Sequence, residues 1–253
     1  MSLTSFIRKA LPPGEGWEGL MINLNKRITG VDEIMDDFDL PLSELNPVLK
    51  GLGDLNNWFG GHKTLIKALQ QFPVQAGNHI SDWGCGGGDA LKAIAQWAAK
   101  QNLSLQLTGV DAAPAAITFA QKETAGVNNI HYLQTMVMSD ELKTNQFDIV
   151  VSSLFTHHFE DDAWVALVKK MLDCSRRGVI ITDLHRHWLL YYSLIAIFST
   201  IIPNKMMRHD GPLSVKRSFK KAELVRLLAQ AGITRYKIEW KWAFRWQVII
   251  YKN

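Results

Sequence analysis

From Ser43 onward, apolar residues recur three or four apart, at Leu45, Leu49, Leu52 and Leu55. That spacing lines one face of an α-helix. Gly60-Gly61 breaks the period, and Leu65, Ile66 and Leu69 carry a second helix as far as Pro73. Residues 1–75 therefore read as a helical N-terminal cap. Its start is acidic, with Asp32, Glu33, Asp36, Asp37 and Asp39 crowded ahead of Pro41. The pattern then changes to short apolar runs separated by helical periods. Strands are predicted at 79–83, 105–110, 130–133, 147–152 and 179–182, and helices at 90–100, 114–123 and 162–172. This alternation implies βαβ units, hence an α/β class built on a parallel sheet with helices on both faces.

After Asp183 the alternation is interrupted by an insertion at 185–218, expected to act as a lid. Residues 188–202 form a run of 15 without a charge, closed by Pro203. A spanning helix needs about 20 apolar residues, so this stretch reads as a buried or interfacial helix. Leu224, Leu227 and Leu228 mark an amphipathic helix over 221–231, with Gly232 as its C-cap. The chain then alternates through Ile238, Trp240, Trp242, Phe244, Trp246, Val248 and Ile250. A period of two predicts a β-hairpin at the end of the sheet. Residues 76–253 thus form one domain that includes the insertion.

The chain has 253 residues, 47% hydrophobic and 21% charged, which excludes wholesale disorder and allows a core without disulfides. Two cysteines make neither a disulfide scaffold nor a zinc cluster and suit a reducing compartment. Arg8 and Lys9 lack an apolar run behind them, against a signal peptide. Net charge is divided unevenly. Residues 1–162 carry 11 Lys and Arg against 19 Asp and Glu, whereas residues 163–253 carry 17 against 5. A basic C-terminal third around an apolar helix fits either a solvated basic face or an anionic, lipid-like neighbour. The expectation is a cytoplasmic protein able to touch the inner membrane peripherally.

The densest chemical signal is Ser81-Asp82-Trp83-Gly84-Cys85-Gly86-Gly87-Gly88-Asp89, between a strand and a helix. Glycines there let a ligand approach the backbone, and such sheets bind ligands beyond the carboxyl ends of their strands. A dinucleotide loop would place a third glycine where this chain has Asp89, an anion that would repel a pyrophosphate. Asp82 instead suits a cationic ligand. Asp111 ends the second strand 29 residues later, where a carboxylate can accept both hydroxyls of a ribose.

Asp82-x-Gly84-x-Gly86-x-Gly88, Gly109-Val110-Asp111 and Phe147-Asp148-Ile149-Val150 closely resemble, in order and spacing, the motifs of class I S-adenosylmethionine-dependent methyltransferases. The resemblance runs from about 78 to 183. It implies a Rossmann-like sheet, S-adenosylmethionine as cofactor and S-adenosylhomocysteine as product. Asp82 and the backbone of Gly84, Cys85 and Gly86 would hold the methionine part, Asp111 the ribose, and Ala112 the adenine edge. Met136 and Val137 would flank the adenine, and Ser153 and Leu154 would border the sulfonium. Met136 stands where the family often has an Asp for the adenine amino group, and a thioether accepts that bond only weakly.

Five histidines follow these motifs. His157-His158 follows the fourth strand, His185 and His187 flank Arg186 beyond the fifth, and His209 lies in the insertion. Histidine is a natural base for a phenol or enol proton near neutral pH, and His158, His185, His187 and His209 are the candidates. A structural role for each is equally open, and positioning alone can supply much of the rate. His185-x-His187 lacks supporting carboxylates or cysteines, so no metal is expected.

The insertion and Asn57-Trp58-Phe59-Gly60-Gly61-His62 look like a bacterial subgroup related to quinone-biosynthesis methyltransferases, members of which often accompany polyketide-synthase-type enzymes. That likeness implies a hydrophobic small-molecule acceptor, phenolic, quinol or polyketide-like, with O-methylation ahead of C-methylation. An RNA or protein methyltransferase is the rival favoured by the basic C-terminal third, although no nucleic-acid module is visible and no nucleic-acid partner is expected. A non-catalytic cofactor-binding scaffold is the second rival.

Overall fold

The computed structural model describes residues 23–202 and 204–252. Residues 1–22 of the predicted cap, and Pro203, lie outside the described residues. Seven strands, β1 (His79–Trp83), β2 (Gln106–Asp111), β3 (Ile130–Gln134), β4 (Phe147–Ser153), β5 (Ser175–Leu184), β6 (Tyr236–Lys241) and β7 (Arg245–Tyr251), form one sheet. Their order is β3-β2-β1-β4-β5-β7-β6, with β1 to β5 parallel and β7 antiparallel to both β5 and β6. The alternating tail is a hairpin, but its second strand docks on β5 and leaves β6 at the edge. Burial explains this choice. Successive residues of β7 are buried on both faces, whereas β6 stays largely open.

Eight helices of the described chain surround the sheet: α1 (Leu42–Trp58), α2 (Gly61–Leu69), α3 (Asp89–Lys100), α4 (Pro114–Glu123), α5 (Asp161–Cys174), α6 (Trp188–Thr200), α7 (Lys205–Arg217) and α8 (Lys221–Gln230). One core sets Trp83, Val150, Val179 and Val248 against Trp164 and Leu167 of α5 and Leu224 and Leu227 of α8. The opposite core sets Ile80, Ile149, Ile180 and Ile249 against Leu65 and Leu69 of α2 and Leu91 and Ile94 of α3. The expected boundary near residue 75 follows α2, yet α2 belongs to the sheet's own helical layer. α1 does lie outside that layer. Its Val48 and Leu55 pack with Phe198 of α6 and Met206 and Met207 of α7.

The apolar run forms α6, with Leu190, Tyr191, Ile195 and Phe198 buried. No helix among the described residues is long and apolar enough to cross a membrane. α7 is not evident in the sequence because Gly211 and Pro212 read as breakers. Gly211 is needed there, since a Cβ would overlap the Phe198 ring. Asp210 of α7 accepts from the N–H groups of Ile34 and Met35, at 2.9 and 3.1 Å, and holds the acidic 3-10 turn Ile34–Asp36 against the insertion.

Candidate active site

Beyond the carboxyl ends of β1, β2 and β4 lies a cavity of about 720 Å³. All ten residues expected around the cofactor line it: Asp82, Gly84, Cys85, Gly86, Asp111, Ala112, Met136, Val137, Ser153 and Leu154. Gly84 sits at φ +68°, and a Cβ there would overlap the Phe155 ring, so the loop's path requires glycine on both counts. Gly88, at φ +75°, is the N-cap of α3. Asp111 accepts from the N–H of Gly86 at 2.9 Å and from that of Ala113 at 3.0 Å, which ties the β2 end to the loop.

Asp82 is 2% exposed, and its Oδ1 has no hydrogen-bond partner. Burial, then the charges of Asp89 and Asp111, push its carboxyl well above the usual range. Asp89, absent from the expected set, lines the same cavity. It accepts from Asn56 Nδ2 at 3.0 Å and lies 2.6 Å from His62 Nε2, and these bonds outweigh its burial and hold its carboxyl low. Burial and the same carboxylates push the Cys85 thiol well up, so it is no nucleophile. This cavity therefore pairs an under-satisfied carboxylate with a glycine cradle, which suits a cationic ligand carrying a ribose.

A second cavity, of about 290 Å³, lies between α1, α6, α7 and the β6–β7 loop. Leu55, Phe59, Leu190, Leu194, Ile197 and Phe198 give it a largely apolar wall. Glu33, Met35, Leu52, Asn56, Leu154 and His158 line both cavities and make the wall they share. Leu154 adopts φ +54°. A left-handed non-glycine conformation costs on the order of 1–3 kcal/mol and concentrates at functional positions.

The structure separates the four candidate histidines. His158 stands on the shared wall, its Nδ1 2.7 Å from Asp36 Oδ1. Its contacts with His158 and Arg217 outweigh burial and hold the Asp36 carboxyl below the usual range. His185, His187 and His209 line neither cavity. His185 packs on Trp246 at 4.9 Å, and burial plus the positive charges of His187, Lys220 and Arg186 push it down to about 4. His187 caps α6 by accepting from the Leu189 N–H at 3.2 Å, and its ring stacks on Phe244. His209 turns its largely exposed side chain to Asp210 at 2.8 Å. In each case a local partner holds the ring away from the cavities, and sequence position alone carries no sign of that.

Several residues on or beside this wall escaped sequence reasoning. Glu33 is buried and accepts from Ser214 Oγ at 2.8 Å. Arg217 donates to Asp36 at 2.8 Å and to the His158 carbonyl at 2.8 Å. His157 is fully buried against Asp183. The acidic run before Pro41 was the available signal, but its partners lie far along the chain. Glu33, His157 and His158 bring ligand-type atoms within 4.8 Å of one another. A metal ion among them would face the Arg217 guanidinium, 3.7 Å from Glu33 Oε1, so the group is better described as an ionic network.

Residues 80–178 match the methyltransferase-domain family. No curated protein matches the chain by sequence. Among solved structures, a SAM-dependent methyltransferase from Aquifex aeolicus superposes with a TM-score of 0.61 at 14% identity, covering 85% of this chain and 100% of that one. Human N-acetylserotonin methyltransferase in complex with SAM gives 0.60 at 15% identity, covering 88% and 63%. The CMeT domain of the citrinin polyketide synthase gives 0.52 at 12% identity, covering 70% and 46%. At these identities the likeness is one of fold.

Proposed function

We propose that this chain, whose residues 80–178 match a methyltransferase-domain family, uses S-adenosylmethionine to methylate a hydrophobic small molecule, phenolic, quinol or polyketide-like, on oxygen. One observation carries the reading: an apolar cavity adjoins the glycine-loop cavity and shares with it a wall that holds a histidine. The cofactor supplies a methyl group made electrophilic by its positively charged sulfur. Asp82 would accept from the ammonium group, and burial would make that bond strong once the carboxylate is ionised. The Asp111 carboxylate, oriented by its backbone bonds, would accept from the ribose. Ala112, Met136 and Val137 would flank the adenine, and Ser153 and Leu154 would border the sulfur.

His158 is the group that takes the acceptor's proton, with Asp36 orienting the ring and stabilising the imidazolium. The apolar wall excludes water and fixes the acceptor in line with the methyl group, which is the larger part of the catalysis when the nucleophile is a phenol. Trp242 lines the apolar cavity and joins a continuous aromatic rim with Phe244, His187 and Trp188. Trp242 and Trp188 are exposed. This rim is the natural entry for a lipophilic acceptor and the point of peripheral membrane contact for a cytoplasmic protein.

The test incubates purified protein and an extract of its native host with S-adenosylmethionine labelled in its methyl group. Label in the organic phase is the expected result, with mass spectrometry naming the product. Label confined to the aqueous or macromolecular phase would sink the reading in favour of an RNA or protein substrate. No label, with cofactor binding intact, would favour a non-catalytic scaffold.

A further inference from the structure

The apolar cavity holds a charge that forms no ion pair among the described residues. Arg245, the first residue of β7, lines the apolar cavity and not the cofactor cavity. It is only 5% exposed, and its Nε and Nη1 have no hydrogen-bond partner. No carboxylate lies within ion-pair distance of its guanidinium among the described residues. Every other fully or nearly buried arginine described here is bound. Arg27 pairs with Asp161, Arg186 with Glu223, and Arg217 with Asp36.

The groups near Arg245 do not repair this. A Cβ placed at Gly61 would overlap Asn56 Oδ1 and lie 3.1 Å from Arg245 Cζ, so the guanidinium abuts the first residue of α2. A helix N-terminus carries partial positive charge, and this one has no side-chain cap. Asn56 Oδ1 is neutral and itself unbonded. The acidic charges that act on it are Asp183 and Asp89, and both are already engaged. Asp183 serves Thr156 and His157, and Asp89 serves Asn56 and His62. On the same cavity wall, Glu33 is held by Ser214, and Asp210 by the backbone of Ile34 and Met35. Leaving a buried cation unpaired is costly, and burial pushes this guanidinium down to about 10.

We infer that the acceptor carries a carboxylate, which Arg245 receives in a two-pronged pair inside the apolar cavity. The inference rests on the reading of this cavity as the acceptor site. A guanidinium is flat and offers parallel N–H donors, so a carboxylate matches it better than a neutral polar group does. Because Arg245 stands off the wall shared with the cofactor, the carboxylate is a handle and a different atom of the acceptor receives the methyl group. The class is therefore an apolar hydroxy acid: an aromatic or alkyl body, a hydroxyl toward His158 and a carboxylate toward Arg245.

The experiment uses 6-hydroxy-2-naphthoate and 6-hydroxy-2-naphthamide as a matched pair. Their binding to the full chain, saturated with S-adenosylhomocysteine, is measured by calorimetry. The acid is expected to bind at least tenfold more tightly than the amide to the wild type. Arg245→Met should bring the acid down to the level of the amide while leaving the amide and S-adenosylhomocysteine unchanged, and Arg245→Lys should keep part of the preference. Equal binding of acid and amide by the wild type overturns the assignment of Arg245 but leaves the apolar site standing. A preference that survives Arg245→Met also overturns it, because it would then come from the general positive charge. Binding of neither compound overturns the acceptor-cavity reading and this inference with it. If Arg245→Met fails to bind S-adenosylhomocysteine, the wild-type comparison and Arg245→Lys decide alone.

Discussion

His157 Nδ1 lies 2.7 Å from Asp183 Oδ1, with both side chains fully buried. The second Asp183 oxygen accepts from Thr156 Oγ1 at 2.7 Å and from the His157 N–H at 3.0 Å. The pair thereby pins the 3-10 turn Thr156–His158 to the end of β5, and with it the position of His158. Burial alone would lower His157, but Asp183 and Glu33 prevail and raise it to about 9, while His157 lowers Asp183 to about 2. A histidine raised on folding contributes stability in full below its unfolded value near 6.5, and that contribution fades as pH rises toward 9. Between pH 6 and 9.5 the wild type should lose about 3 kcal/mol more unfolding free energy than His157→Asn. Urea titrations at the two pH values measure this, and parallel losses would refute it.

Asp82 should couple cofactor binding to pH. Its carboxyl is raised by burial, so it must release a proton to receive an ammonium group as an ion. Affinity for S-adenosylhomocysteine should therefore weaken as pH falls, and binding should release a proton measurable by calorimetry in buffers of different ionisation enthalpy. Asp82→Asn should lower affinity about tenfold or more, since a hydrogen bond to a charged group is worth about 1.5–3 kcal/mol. It should also flatten the pH dependence without lowering the stability of the free protein. An unchanged affinity would remove Asp82 from the site.

His158→Gln tests the base. Loss of general-base catalysis costs about 10²–10⁴ in rate, so kcat should fall within that range while cofactor affinity stays within threefold. Asp36→Asn should fall between the variant and the wild type. A His158→Gln enzyme of normal kcat would leave positioning as the whole of catalysis.

The acceptor wall can be filled without touching the glycine loop. Ile197 lines the apolar cavity and not the larger one. Ile197→Trp should raise KM for the acceptor at least tenfold with S-adenosylhomocysteine affinity unchanged. Equal loss of both would mean that the two cavities are not separate subsites.

Gly84→Ala should abolish measurable cofactor binding. The added methyl meets the Phe155 ring at a backbone angle of +68°, so the loop or the ring must move. Retention of wild-type affinity would show that the loop tolerates another path.

Much of the sheet was legible because its elements are local. The predicted strand at 79–83 and helix at 114–123 match β1 and α4 residue for residue, and the other core elements differ by a few residues at their ends. β5 is the largest of these differences, beginning at Ser175 rather than near Val179. Arg176 and Arg177 hid its start. They reach outward to Asp148, 3.6 and 3.8 Å away, ahead of the apolar run Val179–Ile181.

The glycine loop, Asp82 and Asp111 could be read from the chain itself, because a strand-turn-helix encodes its ligand geometry in a few adjacent residues. The acceptor side could not. Glu33 meets Ser214 across 181 positions, Arg217 meets Asp36 across 181, and Arg245 abuts Gly61 from the far end of the chain. No period of two or 3.6 records such pairings. They exist only once the insertion has folded over the sheet, and that fold selects His158 from four histidines and leaves Arg245 as the bare charge in an apolar cavity.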